Sequence, residues 1–105
     1  AYFGDVAASG GYYIGALAHR IVAQPTTITG SIGVVAMRIV VEQAAQKIGV
    51  THESVERGAR AALFSPYRTW TEDERSALDR SIDEVYSDFV RVVAKGRAPT
   101  ATRLR

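Results

Sequence analysis

The chain has 105 residues, of which 47% are hydrophobic and 23% charged, with a formal net charge of +2 and no cysteine. These figures describe ordinary globular protein, one domain at most, near the lower end of sizes that build a self-sufficient core. They exclude disulfides, thiol chemistry and thiolate metal sites. The only basic cluster is Arg103 with Arg105, and no aromatic residues interleave on a basic face, so nucleic acid is not an expected partner. His19 and His52 stand alone, without a second ligand at helical spacing, and neither a metal nor a cofactor is expected. No apolar run approaches the length that spans a bilayer, and Asp5 interrupts the first apolar residues where a signal peptide would need them unbroken.

Ala1 to Val6 reads as the end of a buried strand, which runs into a turn at Ser9 and then a helix over roughly Gly11 to His19. Ile21-Val22-Ala23 reads as a second short strand. Pro25, Thr26 and Thr27 break regular structure, and Thr29 to Val35 reads as a glycine-punctuated loop entering another apolar segment. From Ile39 to Ile48 the apolar residues Val40, Val41, Ala44, Ala45 and Ile48 follow the helical period, and Gly49 stops it. Val50 to Val55 alternates as a strand does, whereas Arg57 to Trp70 has no periodicity and reads as a long irregular connector.

The next helix carries the clearest signals. Thr71-Glu72-Asp73-Glu74 supplies an N-cap threonine, acids in the first turn and a glutamate at the capping-box position. Leu78, Ile82, Val85, Phe89, Val92 and Val93 form one apolar stripe, for packing on a sheet or a sister subunit. Lys95-Gly96-Arg97 closes the helix with a cation and a glycine, Pro99 forbids continuation, and Ala101 to Arg105 looks like the start of another helix. Strands alternating with helices predict an α/β layer with a largely parallel sheet. The chain opens inside a strand and closes on that last helix start, so the expectation is a partial domain, truncated at both ends.

Gly4-Asp5-Val6-Ala7-Ala8-Ser9-Gly10-Gly11-Tyr12-Tyr13 sets one hydroxyl among residues too small to hide it and then starts a helix. A serine there lies in the field of unpaired N–H groups, which favours an alkoxide or an oxyanion. Gly10 and Gly11 permit a tight turn with bare amides. The same small residues also suit close helix packing without any chemistry, and composition leaves both readings open.

In order and spacing, that stretch, then Ile21-Val22-Ala23, Thr29-Gly30-Ser31-Ile32-Gly33-Val34 and Phe89 to Arg97 resemble the signal peptide peptidase A family, serine proteases of the ClpP/crotonase fold. The resemblance implies a layered βαβ peptidase domain that hydrolyses remnant signal peptides with a serine nucleophile and a lysine general base. By position, Ser9 matches the nucleophile, Gly10 an oxyanion donor, and Ser31 the serine that orients the lysine. Without the resemblance, Ser31 reads as a turn serine satisfying local amides.

The lysine itself is missing. In short family members it lies in a segment whose counterpart is Arg57-Gly58-Ala59-Arg60-Ala61-Ala62, with Ala61 in its place. Arg60 is no substitute, because a guanidinium keeps its proton near neutral pH; Lys47 and Lys95 read as solvated helix residues. Double-length members divide the work, lysine from the amino-terminal repeat and serine from the carboxy-terminal one. The chain resembles part of a carboxy-terminal repeat, so an upstream repeat carrying the lysine is the expected partner. The family also implies an oligomer on the outer face of the bacterial cytoplasmic membrane. The alternatives are an inactive homologue, a crotonase-like acyl-CoA-binding or assembly module, and a Ser–His–Asp site like that of ClpP. The last is disfavoured, since neither histidine falls in the segment that would supply the base.

Overall fold

The computed structural model describes residues 1–97. Pro99, Arg103, Arg105 and the helix start read at 101–105 lie outside the described residues. Two compact units divide the chain, one built from residues 1–34 together with the chain from Ile82 onward, the other from Val35–Ser81.

In the first unit the strand expected over Ala1 to Val6 is two strands, β1 (Tyr2–Phe3) and β2 (Val6–Ala8), broken at Gly4 and Asp5. Helix α1 (Gly10–Gly15) follows, then β3 (Val22–Ala23) and β4 (Ile28–Gly30). β4 begins one residue ahead of the stretch read as a loop, because its partner strand takes it up. The pairing is parallel throughout: β1 with β3 in the register Tyr2↔Val22, and β2 with β4 in the registers Val6↔Ile28, Ala7↔Thr29 and Ala8↔Gly30. Threonines lace the ladder. Thr27 Oγ1 donates to the Gly4 carbonyl at 2.7 Å and Thr29 Oγ1 to the Ala7 carbonyl at 3.1 Å.

Strand alternation divides the side chains of these pairs. Phe3 and Ala7 are buried, with α1 packed on β2, while the neighbouring register pairs Tyr2↔Val22 and Val6↔Ile28 leave their side chains exposed. The Phe3 ring fills the space beside Gly15 so fully that a Cβ there would lie 2.4 Å from it.

α1 is shorter than the helix read over Gly11 to His19. It begins at Gly10 and stops at Gly15, since the Ala16 and Ala18 carbonyls turn to accept hydrogen bonds from Arg97 instead of continuing the helical ladder. That guanidinium belongs to α3 (Glu72–Arg97), whose residues from Ile82 onward complete the first unit. Gly96 was expected to end this helix but lies within it, and its role is packing: a Cβ on Gly96 would fall 1.9 Å from the Ala16 carbonyl oxygen. Of the apolar stripe, Phe89 is buried and meets Tyr13 edge-on at 5.2 Å between ring centres, whereas Val85 is exposed.

The second unit starts in a segment without regular secondary structure. Helix α2 (Glu42–Lys47) is shorter than the Ile39 to Ile48 reading because the β-branched run Ile39-Val40-Val41 stays out of the helix and the Val41 N–H donates to the Pro66 carbonyl at 2.8 Å. Gly49 ends α2 with φ of 75°, the left-handed conformation that its missing Cβ allows. The strand expected over Val50 to Val55 does not form. All of these residues are exposed and no partner strand is paired with them, and alternation without a ladder makes no sheet.

Residues 57–70 are irregular, as read, but firmly tied. The Leu63 carbonyl accepts from both the Trp70 indole (2.7 Å) and the Arg38 guanidinium (2.8 Å), and that guanidinium lies over the Trp70 ring. The capping box closes in both directions: the Thr71 N–H donates to Glu74 and the Glu74 N–H to Thr71 Oγ1. Glu74 is 1% exposed and accepts two 2.6 Å bonds from Arg68. This bidentate arginine, followed by the Thr71 amide, pulls the Glu74 carboxyl down to about 2.

Candidate active site

Ser9 sits at the junction of β2 and α1. Its own backbone makes the turn, with φ of 49° and ψ of −119°, a region that favours glycine. The expectation that Gly10 and Gly11 supply the turn is corrected here, for both glycines are already helical. A Cβ on either would meet nothing within 4 Å, so the space on that side of the turn is open. A sharp strand-to-helix turn that carries a serine in strained conformation is the way a fold projects a hydroxyl outward. Ser9 is exposed, and its side chain caps no amide of the helix it begins.

Two backbone bonds hold the turn. The Ser9 N–H donates to the Gly30 carbonyl at 2.9 Å, and the Ser9 carbonyl accepts from the Tyr13 N–H at 2.9 Å. The second of these is the first bond of α1, so the amides of Gly10, Gly11 and Tyr12 have no acceptor of their own within the helix. They are N–H groups left free at the start of the helix, beside the serine.

Ser31 follows β4 as Ser9 follows β2. Each comes one residue after the register pair Ala8↔Gly30, so parallel pairing brings both serines to the same end of the ladder, the carboxyl end. Ser31 is also exposed, with φ of 50°, and follows Gly30 at φ of 80°. The three residues singled out from the sequence, Ser9, Gly10 and Ser31, thus share one end of one strand pair.

The residues that follow β2 and β4 at this end of the first unit, 9–13 and 31–34, include no lysine. The unit's one lysine among the described residues is Lys95, exposed on α3. In the second unit Lys47 is exposed at the end of α2, and Ala61 is an exposed turn residue. Arg60 is occupied, donating through Nε (2.8 Å) and Nη2 (2.9 Å) to both oxygens of Asp73. That hydrogen-bonded carboxylate raises the already high pKa of Arg60, while Arg60 lowers that of Asp73. Of the histidines, His52 stacks flat on Tyr67 at 3.8 Å between ring centres, and His19 is exposed beyond α1. Among the described residues no three His, Asp or Glu side chains converge to hold a metal ion.

Sequence reasoning missed the seat of α1. Arg97 Nε donates to the Ala16 carbonyl at 3.0 Å and Nη2 to the Ala18 carbonyl. These partners lie about eighty positions away along the chain, so no local pattern announces them.

Against known proteins, the family model for peptidase family S49 matches residues 1–105. The chain is 40% identical over 95 residues to a protein of Enterococcus faecium that carries the name signal peptide peptidase SppA, covering 90% of this chain and 28% of that protein. It is 41% identical over 86 residues to the chloroplastic serine protease SPPA of Arabidopsis thaliana, covering 81% of this chain and 13% of that one. With protease 4 of Haemophilus influenzae it shares 37% over 103 residues, 96% of this chain and 16% of the relative. The chain spans about a third or less of the length of the curated relatives it matches. With its whole length under one family model, the chain belongs to peptidase family S49.

Proposed function

We propose that this chain is the nucleophile-bearing part of a serine peptidase of the signal peptide peptidase A type, on a ClpP/crotonase-like fold. The observation that carries the reading is the strained turn at Ser9, open on its glycine side, with Ser31 brought to the same strand end by the Ala8↔Gly30 register. Ser9 Oγ attacks the scissile carbonyl carbon while its proton passes to a lysine amine. The oxyanion of the tetrahedral intermediate faces the Gly10 N–H, and the leaving amine departs with the proton, leaving an acyl-enzyme ester that water then hydrolyses. Ser31 orients the base. Arg60 does not serve as that base, because a guanidinium held by a carboxylate keeps its proton.

The lysine comes from polypeptide outside this segment, in keeping with a double-length member whose upstream repeat supplies it. Substrates are remnant signal peptides and other membrane-associated peptides bound in extended form, cleaved by an oligomer on the outer face of the cytoplasmic membrane. No helix among the described residues is long and apolar enough to cross a membrane, so attachment too is assigned to other parts of the protein. The test is Ser9→Ala in the intact protein, which should lose both hydrolysis of peptide esters and labelling by a fluorophosphonate. An unaltered rate ends the proposal.

One observation favours a second reading, a non-catalytic homologue: Ala61 stands where a short member carries lysine. An intact wild-type protein that neither labels nor hydrolyses, and that binds a CoA thioester, would establish it.

A further inference from the structure

We propose that Arg97 is a positioning residue for the nucleophile, acting on Ser9 through α1. The inference rests on the reading of Ser9 as that nucleophile. α1 has six residues, too few to hold themselves as a helix. It also lacks the usual local supports: no side chain caps its start, no acid lies in its first turn and no cation in its last. Support comes from α3. Tyr13 meets the buried Phe89 edge-on, Gly96 lies directly against the Ala16 backbone, and the Arg97 fork takes the Ala16 and Ala18 carbonyls.

These three contacts differ in what they fix. A ring edge and a backbone touch limit how closely α1 approaches α3 but leave it free to slide. Two directed bonds from one planar guanidinium to carbonyls two residues apart fix rotation and register together, and they place positive charge at the carboxyl end of the helix dipole. The other end of α1 is Ser9. Its carbonyl is bonded to the Tyr13 N–H and its N–H to Gly30, so the turn is strung between β4 and a helix whose far end Arg97 holds. With that hold removed, α1 shifts against β4, and Ser9 Oγ and the Gly10 amide no longer face one carbonyl together. Misplacement of a reacting group by about 1 Å costs on the order of a hundredfold in rate.

The experiment uses the intact protein and follows the rate of fluorophosphonate labelling, kcat and KM on a peptide ester, and folded content by far-ultraviolet circular dichroism. Arg97→Ala is expected to lower labelling and kcat by roughly ten- to a hundredfold with KM within about twofold. Arg97→Lys keeps the charge but not the fork, and should recover part of the rate. Labelling of Arg97→Ala within about twofold of wild type, or a loss that vanishes once rates are expressed per folded molecule, overturns the proposal. Ser9→Ala separates the two levels. If it still labels, the nucleophile assignment fails and takes the inference with it; if it is silent while Arg97→Ala reacts normally, only the role of Arg97 fails.

Discussion

Replacing Gly96 by alanine tests the seat of α1 most directly, because two known effects oppose each other. In an exposed helix the change stabilises by about 1 kcal/mol, the difference in helix propensity. Here the new Cβ would lie 1.9 Å from the Ala16 carbonyl oxygen, a backbone atom with no flexible end to move aside. Ordinary contact begins near 3.4 Å, so α3 must withdraw by roughly 1.5 Å. Overpacking of this kind costs about 1–3 kcal/mol. The withdrawal also stretches the 3.0 Å bond from Arg97 to Ala16 beyond useful length, and hydrogen bonds to charged groups contribute about 1.5–3 kcal/mol. The penalties exceed the propensity gain, and a net loss of about 1.5–5 kcal/mol is expected. Urea unfolding of the intact protein reads the loss as a lower midpoint at unchanged slope, and hydrogen exchange should locate it in faster exchange of the Tyr13 and Ala16 amides. A variant as stable as wild type, or more stable, would refute the packing argument.

Gly15→Ala places a Cβ 2.4 Å from the buried Phe3 ring, and a loss of about 1–3 kcal/mol is expected in the same assay. Thr71→Ala removes the hydroxyl that accepts from the Glu74 N–H, and should cost about 1 kcal/mol of helix stability. Glu74 binds its proton only near pH 2 in the folded protein, against an ordinary value of 4.5, so between those limits the unfolded chain holds more protons and stability falls as pH falls. Wild-type unfolding midpoints should decline through that window, and the slope should flatten in Glu74→Gln; equal slopes would show the carboxylate to be unpaired. On the proposed role of Ser31 in orienting the base, Ser31→Ala in the intact protein is expected to lower kcat by about a hundredfold, the lower end of what general-base catalysis contributes, with little change in KM.

What could be read beforehand follows the range of the forces involved. The capping box at Thr71 and Glu74 was legible because both partners lie within one turn, and the parallel α/β character followed from short apolar runs set between helices. Ser9 and Gly10 stand out in the sequence as a small-residue turn and Ser31 through the family resemblance, and the Ala8↔Gly30 register brings all three to one strand end. Boundaries failed where distant groups intervene. α1 ends early because Arg97 takes its carbonyls, α2 starts late because Val41 bonds to Pro66, and Val50 to Val55 stays irregular for want of a partner strand. Gly96 was assigned a stop signal when its neighbour across the fold required a missing side chain. The left-handed turn at Ser9 was hidden for a related reason: flanking glycines advertise freedom, and the backbone spent it on the serine.

On the proposed role of Ser9 as nucleophile, its conformation sets durability against reactivity at a single residue. A side chain in that part of conformational space costs about 1–3 kcal/mol, a large share of the 5–15 kcal/mol that keeps a typical domain folded. Glycine would relax the bend and give a sturdier polypeptide with no hydroxyl to offer. Selection for robustness alone would lead away from serine, so, on the proposed role of Ser9, an effort to harden this protein leaves that strained residue untouched.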